Sequence, residues 1–269
     1  MNAVSELARE LSSKAAPALA VVTGAGRGLG RALVLGLVAG GHDVVGLGPG
    51  EESLAETGAL ATGPGRYHPM ACDVSDIDAL RRTFGRIRDL GAIAILINNA
   101  AVYPRRDFLD ESIESFQHTL AVNLGGMAAC CRLALDDMVE RGSGRIINVT
   151  SFADIAPIPA SSAYSVSKGA SRLLTRALVA DLADRFPGIV ISDWAPGALQ
   201  TRMGIVDGLA PEVAAQWGVE LALARDPSFN GTLWERDMEL LPHLSLKRRL
   251  FNRLTLRPPV RPRRLASAA

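Results

Sequence analysis

Short runs of apolar, mostly β-branched residues alternate along this chain with longer segments of helical periodicity. The runs that predict strands are residues 18–23, 43–47, 66–71, 93–97, 144–150, 188–194 and 231–235. The segments that predict helices lie near residues 29–40, 76–90, 112–141, 161–186 and 211–224. Continuous Val, Ile and Leu runs are typical of strands buried on both faces. The alternation therefore predicts an α/β protein, with a doubly wound parallel sheet of about seven strands and helices on both faces.

Length and composition indicate one globular domain with short extensions. The chain has 269 residues, of which 48% are hydrophobic and 21% are charged. We expect a single domain over residues 18–240, an N-terminal extension over 1–17 and a C-terminal tail over 241–269. Charged residues interrupt the N-terminal segment, so we expect neither a secretory signal nor a transmembrane segment, and a cytoplasmic location is the default.

The net charge of +1 is distributed unevenly along the chain. The tail over 241–269 has eight Lys and Arg residues and no Asp or Glu, so the rest of the chain carries a net charge of −7. An acidic body argues against nucleic-acid binding and confines any anionic partner to the tail.

The cysteines and histidines show no pattern of metal ligands. Cys72, Cys130 and Cys131 are odd in number, and the last two are adjacent in an apolar helical segment. This arrangement fits reduced packing residues better than a disulfide framework. The four histidines are scattered. We therefore predict no metal site.

The first predicted strand leads directly into TGAGRGLG, residues 23–30. Gly24, Gly28 and Gly30 lie where the strand turns into a helix, and their missing side chains let backbone N–H groups approach a pyrophosphate. The spacing is G-x3-G-x-G rather than G-x-G-x-x-G, and a plain tight turn is the alternative. Its position between a strand and a helix favours a dinucleotide site in a Rossmann-like fold.

Further motifs follow in order: CDV at 72–74, NNAA at 98–101, LAVNLGG at 120–126, NVTS at 148–151, YSVSK at 164–168 and APGALQT at 195–201. Together with the glycine turn and the thirteen residues from Ser151 to Tyr164, they resemble the short-chain dehydrogenase/reductase family over about residues 18–236. The resemblance implies a Rossmann-like fold and hydride transfer between a nicotinamide cofactor and a carbonyl or secondary alcohol.

Carbonyl reduction needs a hydride donor, a proton donor and a group that fixes the substrate oxygen. Tyr164 and Lys168 are four residues apart on one predicted helix, and we expect the ammonium to lower the pKa of the phenol. The resemblance implies Tyr164 as proton donor, Lys168 also as a ligand of the nicotinamide ribose, Ser151 as hydrogen-bond partner of the substrate oxygen, and Asn123 as part of a water-linked proton relay. The structural alternatives are a surface pair, a strand-end cap at Ser151, a helix kink at Asn123 and a core aromatic at Tyr164.

Two positions bear on the choice of cofactor. The second predicted strand ends without an acidic residue before Glu51, whereas Arg27 lies inside the glycine turn. A strand-end acid favours NAD, and an arginine in the turn can pair with the 2′-phosphate of NADP. NADP(H) is therefore favoured, with NAD(H) and a solvated Arg27 as the alternative. The resemblance implies cofactor contacts from Gly24, Arg27, Gly28, Leu29, Gly30, Asp73, Val74, Asn99, Ala100, Tyr164, Lys168, Pro196, Gly197 and Thr201.

Three departures from the family pattern concern the substrate pocket. Ala101 replaces a common glycine, and Asp154 stands where a glycine is common after Ser151. Asp154 either faces the pocket, where it would favour a positive or hydroxylated substrate, or forms an Asx turn. The segment between the sixth and seventh predicted strands is short for the family, which predicts an open pocket.

The basic tail contains Leu246, Leu250 and Leu254 with arginines between them, which predicts an amphipathic helix followed by an extended Pro-Arg segment. Its candidate docking places are the protein's own pocket, a neighbouring subunit, an anionic membrane or an acidic carrier protein that delivers the substrate. A solvated or disordered tail is the alternative.

The sequence thus predicts an NADP(H)-dependent ketoreductase for a small-molecule carbonyl or alcohol, free or carrier-bound. The alternatives are an NAD-dependent alcohol dehydrogenase and a catalytically silent cofactor-binding or scaffold protein that acts through its tail. In similar proteins the helices near 112–141 and 161–186 build dimers and tetramers, and here Gly125, Gly126, Ala128 and Ala129 suit close packing. We expect a homodimer or homotetramer.

Overall fold

The computed structural model of the protein describes residues 18–241 and 261–266, and it contains one eight-stranded sheet. The strands are β1 (Ala18–Thr23), β2 (Val44–Gly48), β3 (Tyr67–Ala71), β4 (Ala92–Asn98), β5 (Gly144–Val149), β6 (Ile189–Ala195), β7 (Leu233–Glu235) and β8 (Met238–Leu240). Their spatial order is β3-β2-β1-β4-β5-β6-β7-β8, and only the last pair is antiparallel. The order reverses between β1 and β4, where ligands bind in sheets of this kind.

Helices cover both faces of the sheet, as predicted. They are α1 (Gly28–Ala39), α2 (Glu51–Leu60), α3 (Ile77–Leu90), α4 (Ile113–Leu120), α5 (Met127–Arg141), α6 (Ser162–Leu182) and α7 (Pro211–Leu223). Leu33 of α1 and Leu221 of α7 belong to the apolar cluster on one face, and Phe84 of α3 and Met138 of α5 belong to the cluster on the other. Ile95 and Ile97 of β4 belong to the first cluster, and Ile93 and Leu96 belong to the second, so the strand is buried on both sides.

The structure corrects the predicted elements in three places. It adds α2, which starts directly after β2 and buries only Leu54 and Thr57, so the segment has no apolar stripe to reveal it. It adds β8 after a tight turn at Arg236. The φ of Arg236 is 51°, and the sequence has no glycine at this position that would predict such a turn. The predicted helix over 112–141 is divided into α4, a π-helical turn over Ala121–Gly126, and α5.

The cysteines lie in the core. Cys72, Cys130 and Cys131 are buried and free. Burial raises the pKa of all three thiols, that of Cys131 to about 12, so they stay protonated and act as apolar packing residues. Within residues 18–241 and 261–266, no group of three or more His, Cys, Asp or Glu side chains is arranged to hold a metal ion, and no helix is long and apolar enough to cross a membrane.

The last described part of the tail packs against the edge of the sheet. Arg264 pairs with Met238 of β8 in antiparallel fashion, and the Leu265 N–H donates to the Asp237 carbonyl at 2.9 Å. Leu265 is 5% exposed and belongs to the same apolar cluster as α1 and α7. Residues 261–266, which we call the edge strap, therefore extend the sheet beside β8 and contribute Leu265 to the apolar core. The predicted amphipathic helix lies outside the described residues.

One arginine anchors the edge strap. Nε and Nη2 of Arg263 donate to the two carboxylate oxygens of Glu239, at 2.7 and 2.8 Å. The guanidinium also lies 4.2 Å from the ring centroid of Phe229, which stacks on Trp234. A two-pronged ion pair with the buried Glu239 fixes the strap more firmly than an exposed pair does.

Candidate active site

The glycine turn between β1 and α1 forms a cradle without side chains. Gly24 and Gly28 have φ values of 69° and 51°, which favour glycine. A Cβ atom on Gly30 would lie 2.0 Å from the Gly24 carbonyl oxygen, so the backbone closes here only with glycine. No side chain caps the start of α1, and its first N–H groups remain without helical acceptors. This cradle suits a phosphate group.

Thr23 and Asn99 tie the turn to the neighbouring strand. Thr23 Oγ1 accepts hydrogen bonds from the main-chain N–H groups of Asn99 and Ala100, both at 3.0 Å. Asn99 Nδ2 in turn donates to the Thr23 carbonyl at 2.9 Å. The predicted cofactor residues Asn99 and Ala100 thus lie against the glycine turn, at the crevice between β1 and β4. Sequence reasoning missed Thr23, although it opens the TGAGRGLG motif.

Arg31 holds the turn from the other side, and sequence reasoning missed it as well. Its Nη2 donates to the Gly26 carbonyl and to a Glu56 carboxylate oxygen, each at 2.6 Å, and its Nε donates to Thr57 Oγ1 at 3.1 Å. These contacts fasten the turn to α2, a helix that the sequence did not reveal.

The surroundings of the predicted 2′-phosphate site contain one available cation. Arg27 is exposed, and its guanidinium makes no hydrogen bond or ion pair with any residue of 18–241 or 261–266. Gly48 ends β2, and Glu51 is the first residue of α2, where its charge favours the helix N-terminus. Ser53 of α2 packs against Gly26 of the turn. The structure therefore has an exposed arginine in the glycine turn and no acidic residue at the end of β2, the two features on which the cofactor prediction rests.

The loop after β3 carries the predicted adenine contacts. Asp73 is exposed, and its Oδ1 accepts from the N–H and hydroxyl groups of Ser75 at 2.9 and 2.8 Å. Val74 is buried against Gly126, where a Cβ atom would approach the valine side chain to 2.7 Å. Gly126 is itself buried, and the absence of its side chain makes room for Val74 inside the protein.

Ser151, Tyr164 and Lys168 meet at the carboxyl end of β5. Tyr164 and Lys168 lie one turn apart on α6, and Lys168 Nζ is 5.7 Å from the centroid of the tyrosine ring. The Ser151 side chain lies close enough to Tyr164 to lower the pKa of the phenol, and its Oγ accepts from the Ala153 N–H at 3.2 Å. Lys168 is 4% exposed, and its Nζ donates to the Val149 carbonyl at 2.8 Å. The structure therefore places these three residues at the carboxyl ends of the strands, as it does the glycine turn, although they are distant from that turn in sequence.

The titration behaviour of the pair differs from the prediction. Burial raises the pKa of Tyr164, and the Ser151 side chain only partly opposes this. Burial lowers the pKa of Lys168 to about 8, against the opposing charge of Asp193. The net shift of the phenol pKa is therefore upward rather than downward, because desolvation of the phenol dominates. At neutral pH the tyrosine is a neutral acid beside a charged lysine.

Asn123 lies in the π-helical turn and has protein partners on both ends of its amide. Nδ2 donates to the Val102 carbonyl and to Ser167 Oγ, each at 2.9 Å, and Oδ1 accepts from the Val102 N–H at 2.8 Å. The amide thus joins the loop after β4 to α6. Asn123 also marks the departure from α-helical geometry, as the structural alternative suggested. Sequence reasoning missed Ser167, its partner.

Asp154 forms an ion pair with α6 through one of its two carboxylate oxygens. Its Oδ2 is 2.5 Å from Nη1 of Arg172, and its side chain is 8% exposed. The carboxylate is therefore committed to an ion pair that fastens the 3-10 helix Phe152–Asp154 to α6. No main-chain N–H of the described residues donates to this carboxylate, so it forms no Asx turn, and its Oδ1 is buried without a hydrogen-bond partner in the described structure.

The cleft is bordered by residues that sequence reasoning missed. The ring of Tyr103, in the loop after β4, stacks on Tyr164 with centroids 4.6 Å apart and planes 19° apart. Arg105 of the same loop donates to the carbonyls of Met203 and Gly204 in the loop after β6. The predicted open pocket is thus bridged at this point, despite the short segment between β6 and β7.

The loop after β6 also reaches the glycine turn. A Cβ atom on Gly28 would lie 3.2 Å from Cγ2 of Thr201, so the predicted carboxamide contact adjoins the phosphate cradle. Gly197, with φ at 89°, lets the chain turn beneath the side chain of Arg236. The loop therefore connects the cofactor side of the cleft with the Arg105 bridge.

Comparisons with known proteins agree with this geometry. A family profile described as short chain dehydrogenase matches residues 18–208. A solved structure described as a short chain dehydrogenase/reductase family protein superposes with a TM-score of 0.74 and 28% identity, covering 81% of this chain and 94% of that one. The chain belongs to the short-chain dehydrogenase family.

Two curated relatives illustrate the range. "Probable oxidoreductase EphD" of Mycobacterium tuberculosis is 36% identical over 193 residues, which is 71% of this chain and 32% of the relative. This chain therefore spans about a third of the length of that relative. "Carbonyl reductase [NADPH] 2" of Sus scrofa is 33% identical over 196 residues, covering 72% of this chain and 77% of the relative.

Proposed function

We propose that this chain is an NADP(H)-dependent reductase of a small-molecule carbonyl compound, with Tyr164 as the proton donor. The observation that carries the proposal is the meeting of the Ser151 hydroxyl, the Tyr164 phenol and the Lys168 ammonium at the sheet edge that also bears the glycine turn. The nicotinamide, when bound, supplies the hydride. The protein supplies the proton and the hydrogen bonds that fix the substrate oxygen.

The protonation states favour reduction. Because its pKa is raised, Tyr164 carries its proton at neutral pH and can donate it to a developing alkoxide. Ser151 offers a second hydroxyl to the same oxygen. Lys168, charged below about pH 8, stabilises the phenolate that remains. Asn123 is proposed to support the proton relay through Ser167.

The cofactor preference rests on charge. Arg27 is exposed without a carboxylate partner in the described structure, and β2 ends in Gly48 rather than an acid. A guanidinium in this place favours the 2′-phosphate of NADP. A relative named for its use of NADPH, the porcine carbonyl reductase, supports the same choice. The residues proposed to hold the cofactor are Gly24, Arg27, Gly28, Leu29, Gly30, Asp73, Val74, Asn99, Ala100, Tyr164, Lys168, Pro196, Gly197 and Thr201.

Titration with NADPH and NADH, followed by nicotinamide fluorescence, tests the proposal in the wild type and in Arg27→Ala. Arg86→Ala, an exposed arginine on α3, is the matched control. We expect NADPH to bind at least about 10-fold more tightly than NADH, and the difference to disappear only in Arg27→Ala, since a charge-assisted bond is worth about 1.5–3 kcal/mol. A preference for NADH would favour the NAD-dependent alcohol dehydrogenase alternative. Binding of neither nucleotide would contradict the proposal that this protein is an enzyme.

We also propose a homodimer or homotetramer in the cytoplasm. Ile113 on α4 and Val166 and Leu173 on α6 are 72, 52 and 58% exposed, which is typical of apolar surface that a partner covers. Sedimentation of the wild type beside Leu173→Glu tests the assembly, and cell fractionation tests the location. An unchanged sedimenting mass in the variant would place the interface elsewhere.

A further inference from the structure

Arg105 lies across the mouth of the cleft. Its Nη2 donates to the carbonyl oxygens of Met203 and Gly204, at 2.6 and 2.5 Å. Its guanidinium carbon lies 5.3 Å from the ring centroid of Tyr103, which in turn stacks on Tyr164 at 4.6 Å. Two successive side-chain contacts therefore separate this cation from the proposed proton donor.

The charge of Arg105 is not neutralised by its partners. Both acceptors are main-chain carbonyls, and no carboxylate of residues 18–241 or 261–266 lies within ion-pair distance of it. The next residue, Arg106, differs because it faces Glu111 at 3.9 Å. Arg202, adjacent to Met203, is a second exposed arginine without an ion pair in the described range. A guanidinium with only neutral acceptors keeps its preference for a planar carboxylate.

The backbone at Arg105 has a strained conformation that helps to position the side chain. Its φ is 53°, in the left-handed region that disfavours residues with a Cβ atom. Such a conformation is unfavourable for a residue with a Cβ atom and is often retained at ligand sites. Here the two hydrogen bonds and the contact with Tyr103 offset that cost and direct the guanidinium over the cleft.

We propose that Arg105 is a specificity-determining residue that binds a carboxylate on the substrate whose carbonyl group faces Tyr164. The inference rests on the reductase function proposed above and names its substrate class, a ketone or aldehyde that carries a carboxylate. The carboxylate replaces the carbonyls of Met203 and Gly204 as acceptors. Neutral hydrogen bonds are thereby exchanged for charge-assisted ones, which are stronger.

A pair of planar ketones that differ in charge tests this, 4-acetylbenzoate and 4-acetylbenzamide. Calorimetric titration gives their dissociation constants with and without NADP⁺, conditions in which neither ligand is reduced. We expect the wild type to bind the acid at least about 10-fold more tightly than the amide, as a charge-assisted bond of about 1.5–3 kcal/mol implies. Arg105→Gln should bind both equally, Arg105→Lys should keep part of the preference, and Arg106→Gln should keep all of it.

The ratio of the two affinities separates recognition from a structural role. If Arg105 only latched the two loops, Arg105→Gln would weaken both ligands alike and leave the ratio unchanged, which would overturn the inference. Equal affinities in the wild type, or binding of neither ligand, would overturn it too. If the protein bound no nicotinamide cofactor but kept an Arg105-dependent preference for the acid, the reductase proposal would fail and the carboxylate site would stand.

Discussion

The Lys168 ammonium donates a hydrogen bond to the carbonyl of Val149, with 2.8 Å between Nζ and O. Val149 is the last residue of β5, and Ser151 follows two positions later. The same ammonium lies 5.7 Å from the centroid of the Tyr164 ring. This hydrogen bond to β5 therefore fixes the position of the lysine relative to the hydroxyl groups of Ser151 and Tyr164. We expect the charge of Lys168 to determine how activity depends on pH.

Activity should fall as the pH rises through about 8. Burial lowers the pKa of Lys168 to about 8, so the ammonium is charged below this pH and neutral above it. Above its own raised pKa of about 7, Asp193 is an anion that helps to keep the lysine charged. Asp193→Asn should therefore move the alkaline fall of kcat toward lower pH.

The surroundings of Asp193 define the control. Its Oδ1 accepts from Thr175 Oγ1 at 2.7 Å, and the other charged or titratable groups that act on it or on which it acts are Arg172, Arg176, Asp154, Cys131 and Lys168. Asp184→Asn changes an exposed carboxylate instead and should leave the profile unchanged. Identical pH profiles for the wild type and Asp193→Asn would show that the lysine is not tuned from this side.

Removal of the Tyr164 hydroxyl should stop turnover without unfolding the protein. Tyr164→Phe keeps the ring stacked on Tyr103 but loses the proton donor, so we expect kcat to fall by about 100-fold or more with cofactor binding retained. Tyr67→Phe is the matched control, because the buried Tyr67 hydroxyl has no hydrogen-bond partner in the described structure. Steady-state rates and circular dichroism measure both effects. Wild-type rates in Tyr164→Phe would rule out its proposed role.

The sheet and the glycine turn could be predicted because their signals are local. Apolar runs in the sequence indicate the buried strands, and the three glycines Gly24, Gly28 and Gly30 indicate a turn that has no room for side chains. The contacts that support the turn are not local, since Thr23 and Asn99 are 76 residues apart and meet only through the order of the strands. Pairing of that kind leaves no periodic trace in a single sequence.

The missed parts of the site have other physical reasons. The Tyr103 stack depends on a loop that passes through a left-handed Arg105, for which the sequence has no glycine or asparagine signal. The pKa of Tyr164 depends on how deeply the phenol is buried, whereas the spacing to Lys168 shows only that the two side chains share a helix face. Spacing thus predicted the partners correctly but not the sign of the shift.

A methyl group on Gly30 should damage the cofactor site. In Gly30→Ala the new Cβ atom would lie 2.0 Å from the Gly24 carbonyl oxygen and 2.6 Å from Asn99 Nδ2, so the turn must open. We expect NADPH binding to weaken by at least about 10-fold, because a displaced cradle loses hydrogen bonds worth about 1.5–3 kcal/mol to a charged phosphate. Fluorescence titration measures the loss.

Gly85→Ala is the control for a glycine with space around it. A Cβ atom at Gly85 meets nothing within 4 Å on α3, so this change should leave NADPH binding intact. It should also stabilise the protein by about 0.5–1 kcal/mol, since alanine loses less backbone entropy in a helix. Equal NADPH affinities in the two variants would show that the turn does not hold the cofactor.

The edge strap should stabilise the domain through a pair that acid breaks. Glu239 is 9% exposed, and its hydrogen bonds with Arg263 hold the pKa of its carboxyl below the ordinary 4.5. A lowered carboxyl pKa adds stability above the ordinary value, and this stability is lost as the pH falls through the lowered one. Glu239→Gln should therefore reduce the free energy of unfolding by about 1–3 kcal/mol at neutral pH. The deficit should shrink as the pH falls below 4.5, where the wild type loses the same charge.

Urea denaturation at neutral and acidic pH measures the deficit, and Glu235→Gln on the adjacent β7 is the matched control with no ion pair in the described structure. The control should unfold like the wild type at both pH values. Since Glu239 binds the strap through both carboxylate oxygens, its loss should also expose the segment around Leu265 to proteolysis earlier than the rest of the sheet. A deficit that stays constant with pH would mean that the glutamate stabilises the edge by packing alone, and that its charge contributes nothing.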